Sequence, residues 1–342
     1  MSIKSLTRAV SGLRNRLNRT PPFPDLVPTV EWQVNGHCNY DCPYCIQSKA
    51  SRVGFPSDET IRGIVAAFAK LPASWEIKMS GGEPFAFKGF INSVIPQLVE
   101  KTGHKLSVLT NFSAPVSVLR KFCELTGERL RITSASLHPD TISIDEFLPK
   151  AIQYRDFREQ LNPNSSFVIN CVLVPGRVRD QVEFQKRIEE EGFRYFPQLM
   201  KIKGGVFPYE PAEVELIEEL TGGSHDPHAV NRSPSYQGLH CEAGAWYFTV
   251  DQTGQAYTCR TGKRFLHVDD RADMGNLVDG TFSLRSKGGR CPYTICPCTV
   301  PANRGVVRIP EGFVPDVVED RNDGEAPEAS LFQLNSGGRD GN

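Results

Sequence analysis

The chain has 342 residues, 39% of them hydrophobic and 23% charged, which suffices for a sizeable core in one large domain with a smaller one beside it. A net charge of −1 argues against the basic face by which proteins grip nucleic acid, so the expected partners are small molecules or a protein, and no nucleic acid. No run approaches the roughly eighteen apolar residues of a membrane span, and the opening MSIKSLTRAVSGLRNRL lacks the apolar stretch of a secretory signal. The expected location is therefore a reducing cytoplasm, where ten cysteines are metal ligands sooner than disulfides.

Residues 1–29 form a basic amphipathic segment. Ile3, Leu6, Val10, Leu13 and Leu17 fall on one helical stripe, with Lys4, Arg8, Arg14 and Arg16 elsewhere. Such a helix can lie on an anionic membrane surface, but packing on the protein's own flank is the expected outcome.

Residues 30–205 alternate short β-rich runs with amphipathic stretches: VEWQV, SDETIRGIVAAFAKL, EIKMS, FINSVIPQLVEK, KLSVLTN, SVLRKFCEL, LRITSAS, IDEFLPKAIQYRDF, FVINCVLV, DQVEFQKRIEEEG and FRYFPQLM. Ile61, Ile64, Val65 and Phe68 follow the i, i+3, i+4, i+7 rule, whereas FVINCVLV is apolar on both faces, as a covered parallel strand should be. Six strands alternating with five helices predict an α/β fold with a parallel sheet and right-handed crossovers. Pro96 interrupts the second helical pattern and blurs its boundaries. Cys123 and Cys171 share faces with apolar neighbours and read as core residues.

Ligands of parallel sheets collect at the carboxyl ends of strands, and there the unusual residues lie. HCNYDCPYCIQ follows strand one, SGGEP strand two, TNF strand three and SASLHPD strand four. The first of these loops holds three cysteines, Cys38, Cys42 and Cys45. Four thiolates would close a cubane iron–sulfur cluster, whereas three leave one iron open to something else. A structural zinc loop would want a fourth nearby ligand, and His37 adjoins Cys38 too closely to reach round the same ion.

The spacing C-x3-C-x2-C followed by a strand-end GGEP resembles the radical S-adenosylmethionine (SAM) superfamily, over the stretch from the cysteine loop to strand six. The resemblance implies a (β/α)6 partial TIM barrel, a [4Fe-4S] cluster on Cys38, Cys42 and Cys45, SAM chelating its open iron, and a one-electron donor such as flavodoxin or ferredoxin. It also implies residue roles. Tyr44 matches the aromatic near the adenine; Gly81, Gly82, Glu83 and Pro84 match the stretch facing the methionine amino group. Ser136 stands where relatives place a serine near the SAM carboxylate or ribose. Asn111 resembles the asparagine of a common TNG pattern, from which this chain departs with Phe112 in place of glycine.

Residues 206–235 read as a helix and linker; its TGGSHDPHAVNRSPS carries His225 and His228, which suit a polar loop better than a metal. Residues 236–305 hold the other five cysteines. WYFTV and QAYTCR flank the turn DQTG as a hairpin that brings Cys241 and Cys259 close at one end, and Cys291, Cys296 and Cys298 follow in CPYTICPC. The order C-x12-G-x4-C, a gap and a cysteine cluster resembles the SPASM or shorter twitch extensions, and implies one auxiliary iron–sulfur cluster, expected to be [4Fe-4S], on Cys241, Cys259, Cys291 and one or both of Cys296 and Cys298: either one of the last two is in excess, or one of them replaces another of the set. A four-cysteine zinc ribbon is the alternative. Residues 306–342 form an acidic tail of disordered composition.

The resemblance implies an enzyme that takes hydrogen from a substrate through a 5′-deoxyadenosyl radical. Relatives with a twitch extension oxidise alcohols of sugar-like or aminocyclitol molecules, which makes a small-molecule substrate the first expectation. A ribosomal-peptide maturase that cross-links or epimerises a peptide is the second; the thirty or so residues before strand one are few for the leader-recognition domain such maturases often carry. A non-catalytic metal scaffold is the third, and the open cysteine loop speaks against it. Asn170, Gln198, Met200, Lys201 and Arg260 are the expected substrate-side residues, on the strand ends and beside the auxiliary cysteines.

Overall fold

The computed structural model describes residues 19–47, 54–202, 205–224, 226, 229–266 and 270–313. The amphipathic stripe of residues 3–17, His225, His228 and the tail from residue 314 lie outside these. None of the described helices is long and apolar enough to cross a membrane.

Six strands pair in parallel and in chain order: β1 (Thr29–Asn35), β2 (Glu76–Gly81), β3 (Lys105–Thr110), β4 (Leu130–Leu137), β5 (Ser166–Leu173) and β6 (Arg194–Leu199). Between them run α1 (Asp58–Phe68), α2 (Ile95–Lys101), α3 (Val116–Thr126), α4 (Ile144–Leu161) and α5 (Val178–Glu190). Because the order never reverses, right-handed crossovers carry every helix to the same side of the sheet. The opposite side stays open and concave, which is the partial barrel that the resemblance implied.

The sequence pattern explains which face is which. Trp32, Val34, Ile77, Met79, Val108, Ala135, Leu137, Ile169 and Cys171 are buried with Ile61, Ile64, Val65 and Phe68 of α1 in one core. Strand side chains alternate, so Glu31, Lys78, Ser107, Ser134, Ser136 and Asn170 face the concavity. Local signals hold the helices in place. Ser57 caps α1 by accepting from the Thr60 N–H, and Ser143 and Glu146 form a capping box on α4. The stretch around Pro96 divides into a π-helical turn, Phe90–Val94, and α2, which begins at Ile95. The missing proline N–H thus falls in the first turn of α2, where it costs least. Cys123 and Cys171 are fully buried core residues.

After β6 come a small hairpin, β7 (Lys201–Ile202) and β8 (Gly205–Val206), and the helix α6 (Pro211–Thr221). Then follow β9 (His240–Cys241), β10 (Tyr247–Val250), β11 (Gln255–Tyr257), α7 (Arg260–Arg264), β12 (Asp273–Asn276), β13 (Gly289–Arg290) and α8 (Val300–Asn303). β10 and β11 form the expected hairpin, but β10 also pairs in parallel with β1, from Thr29↔Tyr247 to Trp32↔Val250. The sheet therefore runs unbroken as β12-β11-β10-β1-β2-β3-β4-β5-β6. A strand buried on both faces needs partners on both edges, and β10 supplies the one that β1 lacks. Trp75 stacks on Trp246 and meets Phe248 edge-on, fixing the added strand to the helical side. One consequence is functional: the C-terminal cysteines are tied directly to the barrel's first strand.

Candidate active site

The cysteine loop leaves β1 at the open end of the barrel and is fastened to the GGEP turn by backbone. The Gly82 N–H donates to the Asn35 carbonyl at 3.0 Å and the Glu83 N–H to the His37 carbonyl at 2.7 Å. The two glycines are required by that approach. Gly81 has a φ of +151°, and a Cβ on Gly81 or Gly82 would overlap the carbonyl oxygens of Asn35 and His37 respectively.

Glu83 is fully buried, and its carboxylate turns into the fold. It accepts from Thr110 Oγ1 (2.7 Å), the Asn111 N–H (2.6 Å) and the Phe85 N–H (3.0 Å). Burial pushes its pKa up to about 7 against the pull of those donors. Glu83 thereby ties the end of β3 to the GGEP turn. Pro84 is buried and opens the short helical turn that follows.

Asn111 is placed by this tie. Its Nδ2 donates to Asn39 Oδ1 at 2.9 Å and lies 3.8 Å from Cys38 Sγ, which also accepts from the Tyr40 N–H at 3.4 Å. Phe112, in the glycine position of the TNG pattern, adopts φ +58°, the left-handed conformation that glycine would take without strain. Its ring is fully buried against Phe147, Tyr154 and Phe167, and that packing offsets the strain.

Cys42 and Tyr44 point inward, whereas Cys45 is exposed. Both pack on Met200, which follows β6, so the two ends of the open barrel meet at the cysteine loop. His138, just past β4, was not among the residues expected from sequence. Its Nδ1 lies 2.9 Å from Tyr44 Oη and 3.4 Å from Cys42 Sγ, and its ring stacks on Tyr44 at 5.9 Å. Burial holds its pKa down at about 4 and so keeps the ring neutral. The signal for it was a histidine directly at the carboxyl end of a parallel strand.

The concave wall is polar. Asn170 accepts from Ser136 Oγ at 2.8 Å and donates to Ser134 Oγ at 2.9 Å. Val172 pairs with Gln198, so Gln198 shares the face of Asn170 one step nearer the mouth. Lower in the barrel, Glu31 takes a two-point contact from Arg260 (3.0 and 3.2 Å), a hydrogen bond from Tyr247 Oη (2.5 Å) and Lys78 Nζ at 3.8 Å. Burial works to raise the Glu31 pKa, but Arg260 and Lys78 prevail and hold it down at about 2. Arg260 thus meets a carboxylate on the inner face of β1. Glu31 was missed, although an acid on the inward period of TVEWQV was the sign. Beneath it Glu76 is buried between Arg304 (2.6 Å), Arg131 (3.0 Å) and Ser107 (2.6 Å), closing the floor.

The C-terminal cysteines gather beside β10. Gly289 pairs with Cys241, so Cys291, just past β13, lies opposite Leu239 and diagonal to Cys241, and Cys259 Sγ accepts from the Gly262 N–H at 3.2 Å. Burial raises the pKa of all five thiols. Lys201 lies beside Cys296 and Cys298, where burial lowers its pKa to about 7 and the two thiols work the other way. Among the described residues no three His, Cys, Asp or Glu side chains converge closely enough to share one metal ion.

Both cysteine sets fit an iron–sulfur group in donor chemistry: thiols on loops, with N–H groups aimed at Cys38 and Cys259. Binding of a metal at the C-terminal set must displace the protons that burial retains on those five thiols.

Residues 32–188 match the family model described as Radical SAM superfamily. No curated protein matches the chain. Among solved structures, a tagged form of anSMEcpe with bound AdoMet aligns with a TM-score of 0.53 at 18% identity, over 75% of this chain and 78% of that one. Streptococcus suis SuiB bound to S-adenosylmethionine aligns with a TM-score of 0.53 at 14% identity, over 82% and 70%. SuiB bound to precursor peptide SuiA aligns at 0.51 and 15%, over 82% and 69%. At these identities the likeness is one of fold.

Proposed function

Through residues 32–188 the chain belongs to the radical SAM superfamily and is an enzyme, and from that premise we propose that Cys38, Cys42 and Cys45 hold a [4Fe-4S] cluster at which SAM is reductively cleaved. The observation that carries the reading is the fastening of a three-cysteine loop to the GGEP turn through Gly82 and Glu83. When bound, the cluster and SAM together supply a 5′-deoxyadenosyl radical able to take hydrogen from a substrate.

The chain's own residues orient and enclose. Asn111 and the Tyr40 N–H direct hydrogen bonds at Cys38, while His138 and Tyr44 pack over Cys42. Tyr44, Gly81, Gly82, Glu83, Pro84, Asn111 and Ser136 frame the space for SAM above the strand ends. Below it, Asn170, Gln198, Lys78 and Arg260 offer donors and acceptors on an otherwise covered wall, which supports a hydroxyl-rich small molecule as substrate, with oxidation of an alcohol as the outcome. The C-terminal cysteines hold an auxiliary iron–sulfur group, and a small one-electron carrier such as flavodoxin or ferredoxin reduces the first cluster. A peptide is the second reading, supported by the SuiB structure with its precursor peptide in the same fold.

Anaerobically reconstituted protein given dithionite and SAM should release 5′-deoxyadenosine. Replacement of all three loop cysteines by alanine should abolish release; an equal yield from that variant would overturn the assignment.

A further inference from the structure

Resting on the small-molecule reading above, we propose that the substrate carries an anionic group, a carboxylate or a phosphate, and that Lys78 and Arg260 bind it on the inner wall of the barrel, below the space for SAM.

Strand register assembles the site. Glu31 and Lys78 are in-register partners on β1 and β2, and both face the concavity. β2 has a strand on each edge and helices behind it, so the 23% of the Lys78 side chain that water reaches is reached from the concave side. Arg260 arrives from the C-terminal part of the chain. The parallel pairing of β10 with β1 carries the β10–β11 hairpin, and with it the start of α7, to the edge where Glu31 lies. The Arg260 side chain is 40% exposed, whereas Glu31 is buried.

Glu31 does not use up these two cations. Arg260 gives it Nε and Nη2, at 3.0 and 3.2 Å, and Nη1 makes no hydrogen bond among the described residues. Lys78 Nζ stands 3.8 Å from Glu31 Oε1, beyond hydrogen-bond reach, and so keeps its donors to offer. Charge points the same way. On the inner wall and floor two carboxylates, Glu31 and Glu76, meet four cations, Lys78, Arg260, Arg131 and Arg304, and among the described residues no other carboxylate pairs with any of the four. The excess is positive, in a chain whose net charge is −1. It does not depend on the state of Glu31, since a protonated Glu31 would leave both of its cations unopposed. Donors on such cations bind most strongly to an anion, where both partners of each hydrogen bond are charged.

Depth fixes where the charge sits on the substrate. Lys78 precedes Gly81 by three residues on β2, about 10 Å along the strand. An anion held at Lys78 leaves the rest of the ligand to extend up the wall toward the GGEP turn. A sugar acid or sugar phosphate bound in this way has its hydroxyl-bearing carbons uppermost, nearest the space for SAM.

Ligand-detected NMR titrations of the anaerobically reconstituted full chain, in the presence of SAM, test the site with glucuronate, glucose 6-phosphate and glucose. At least one of the two anionic sugars should bind about tenfold or more tightly than glucose, and the better of them tells carboxylate from phosphate. K78Q should reduce that preference to within about twofold. Equal binding of the three sugars would overturn the proposal and assign the excess cations to the protein's own thiolates. So would the absence of anion binding at about 10 mM, or a preference that K78Q leaves intact, because the anion then sits elsewhere. As K78Q can disturb Glu31 and the fold, acetylation of the wild-type protein gives an independent measure. The preferred anionic sugar, but not glucose, should protect Lys78 from acetic anhydride in mass mapping; equal labelling with and without it would refute the proposal. The same preparation is assayed for 5′-deoxyadenosine. Anion preference without its release would overturn the SAM assignment and leave this site standing, whereas release without anion preference would do the reverse.

Discussion

Gly82 lies directly under His37: its N–H meets the Asn35 carbonyl, and any Cβ it carried would overlap the His37 carbonyl oxygen. The contact joins the second strand's turn to the loop that presents Cys38. A methyl group must therefore push the cysteine loop away, although the sheet beneath has no reason to change. In G82A we expect circular dichroism to match the wild type while 5′-deoxyadenosine yield falls about tenfold or more, as for other losses of ligand support. A wild-type yield would show that the loop does not depend on this contact.

The auxiliary site should load independently of the first. With Cys38, Cys42 and Cys45 replaced by alanine, reconstituted protein is expected to retain about four irons per chain. Iron below one per chain, with a normal fold, would remove the auxiliary group from the proposal.

How much of this was legible in the sequence depends on the range of the cause. The six strands and five helices rest on local periodicity, and α1 follows the spacing of Ile61, Ile64, Val65 and Phe68 with Ser57 as its cap. The cysteine and GGEP loops were legible because strand ends gather ligands in any parallel sheet. Glu31 and His138 were not, since their meaning comes from partners far along the chain: Arg260 for one, Tyr44 and Cys42 for the other. The pairing of β10 with β1 is equally non-local, because a strand's edge partner leaves no mark in its own residues.

Phe112 tests the trade between strain and packing. A non-glycine residue at φ +58° carries about 1–2 kcal/mol of strain, whereas truncating a buried phenylalanine typically costs about 3–5 kcal/mol. Packing should prevail. F112G is expected to destabilise the protein by roughly 2–3 kcal/mol, read as a lower urea midpoint at unchanged slope. A more stable F112G would mean that the ring contributes little.

His104 gives a pH signature away from both cysteine sites. It is buried, its Nδ1 accepts from the Trp75 N–H at 3.2 Å, and its Nε2 lies 2.8 Å from the Phe68 carbonyl. Burial lowers its pKa, with Arg129 adding to that and the Phe68 bond opposing it. The folded state thus binds fewer protons than the unfolded state below the ordinary value of 6.5, so stability falls as pH drops through and below that value. Glutamine can both accept from Trp75 and donate to Phe68 without titrating. Between pH 7 and pH 5, H104Q should lose less stability than the wild type in paired urea melts; parallel losses would place the acid sensitivity elsewhere.

Substrate and SAM chemistry should come apart on the inner wall, and Gln198 is the residue at which to separate them. Asn170 is a poorer choice because it accepts from Ser136, so its removal disturbs a residue expected beside SAM as well as the wall. Gln198 pairs in register with Val172, on the face of Asn170 but away from that bond, and is only partly buried. Partly buried amides on a covered wall lose water contacts that a ligand can restore, which gives Gln198 a reason to meet substrate. Q198A should therefore leave the rate of substrate-free SAM cleavage within about twofold of wild type, while substrate turnover falls by roughly tenfold, the effect of one or two lost hydrogen bonds. The comparison is made as 5′-deoxyadenosine formed with and without the substrate, once identified, together with product formed. If product per 5′-deoxyadenosine is the same in Q198A as in wild type, Gln198 has no part in binding the substrate.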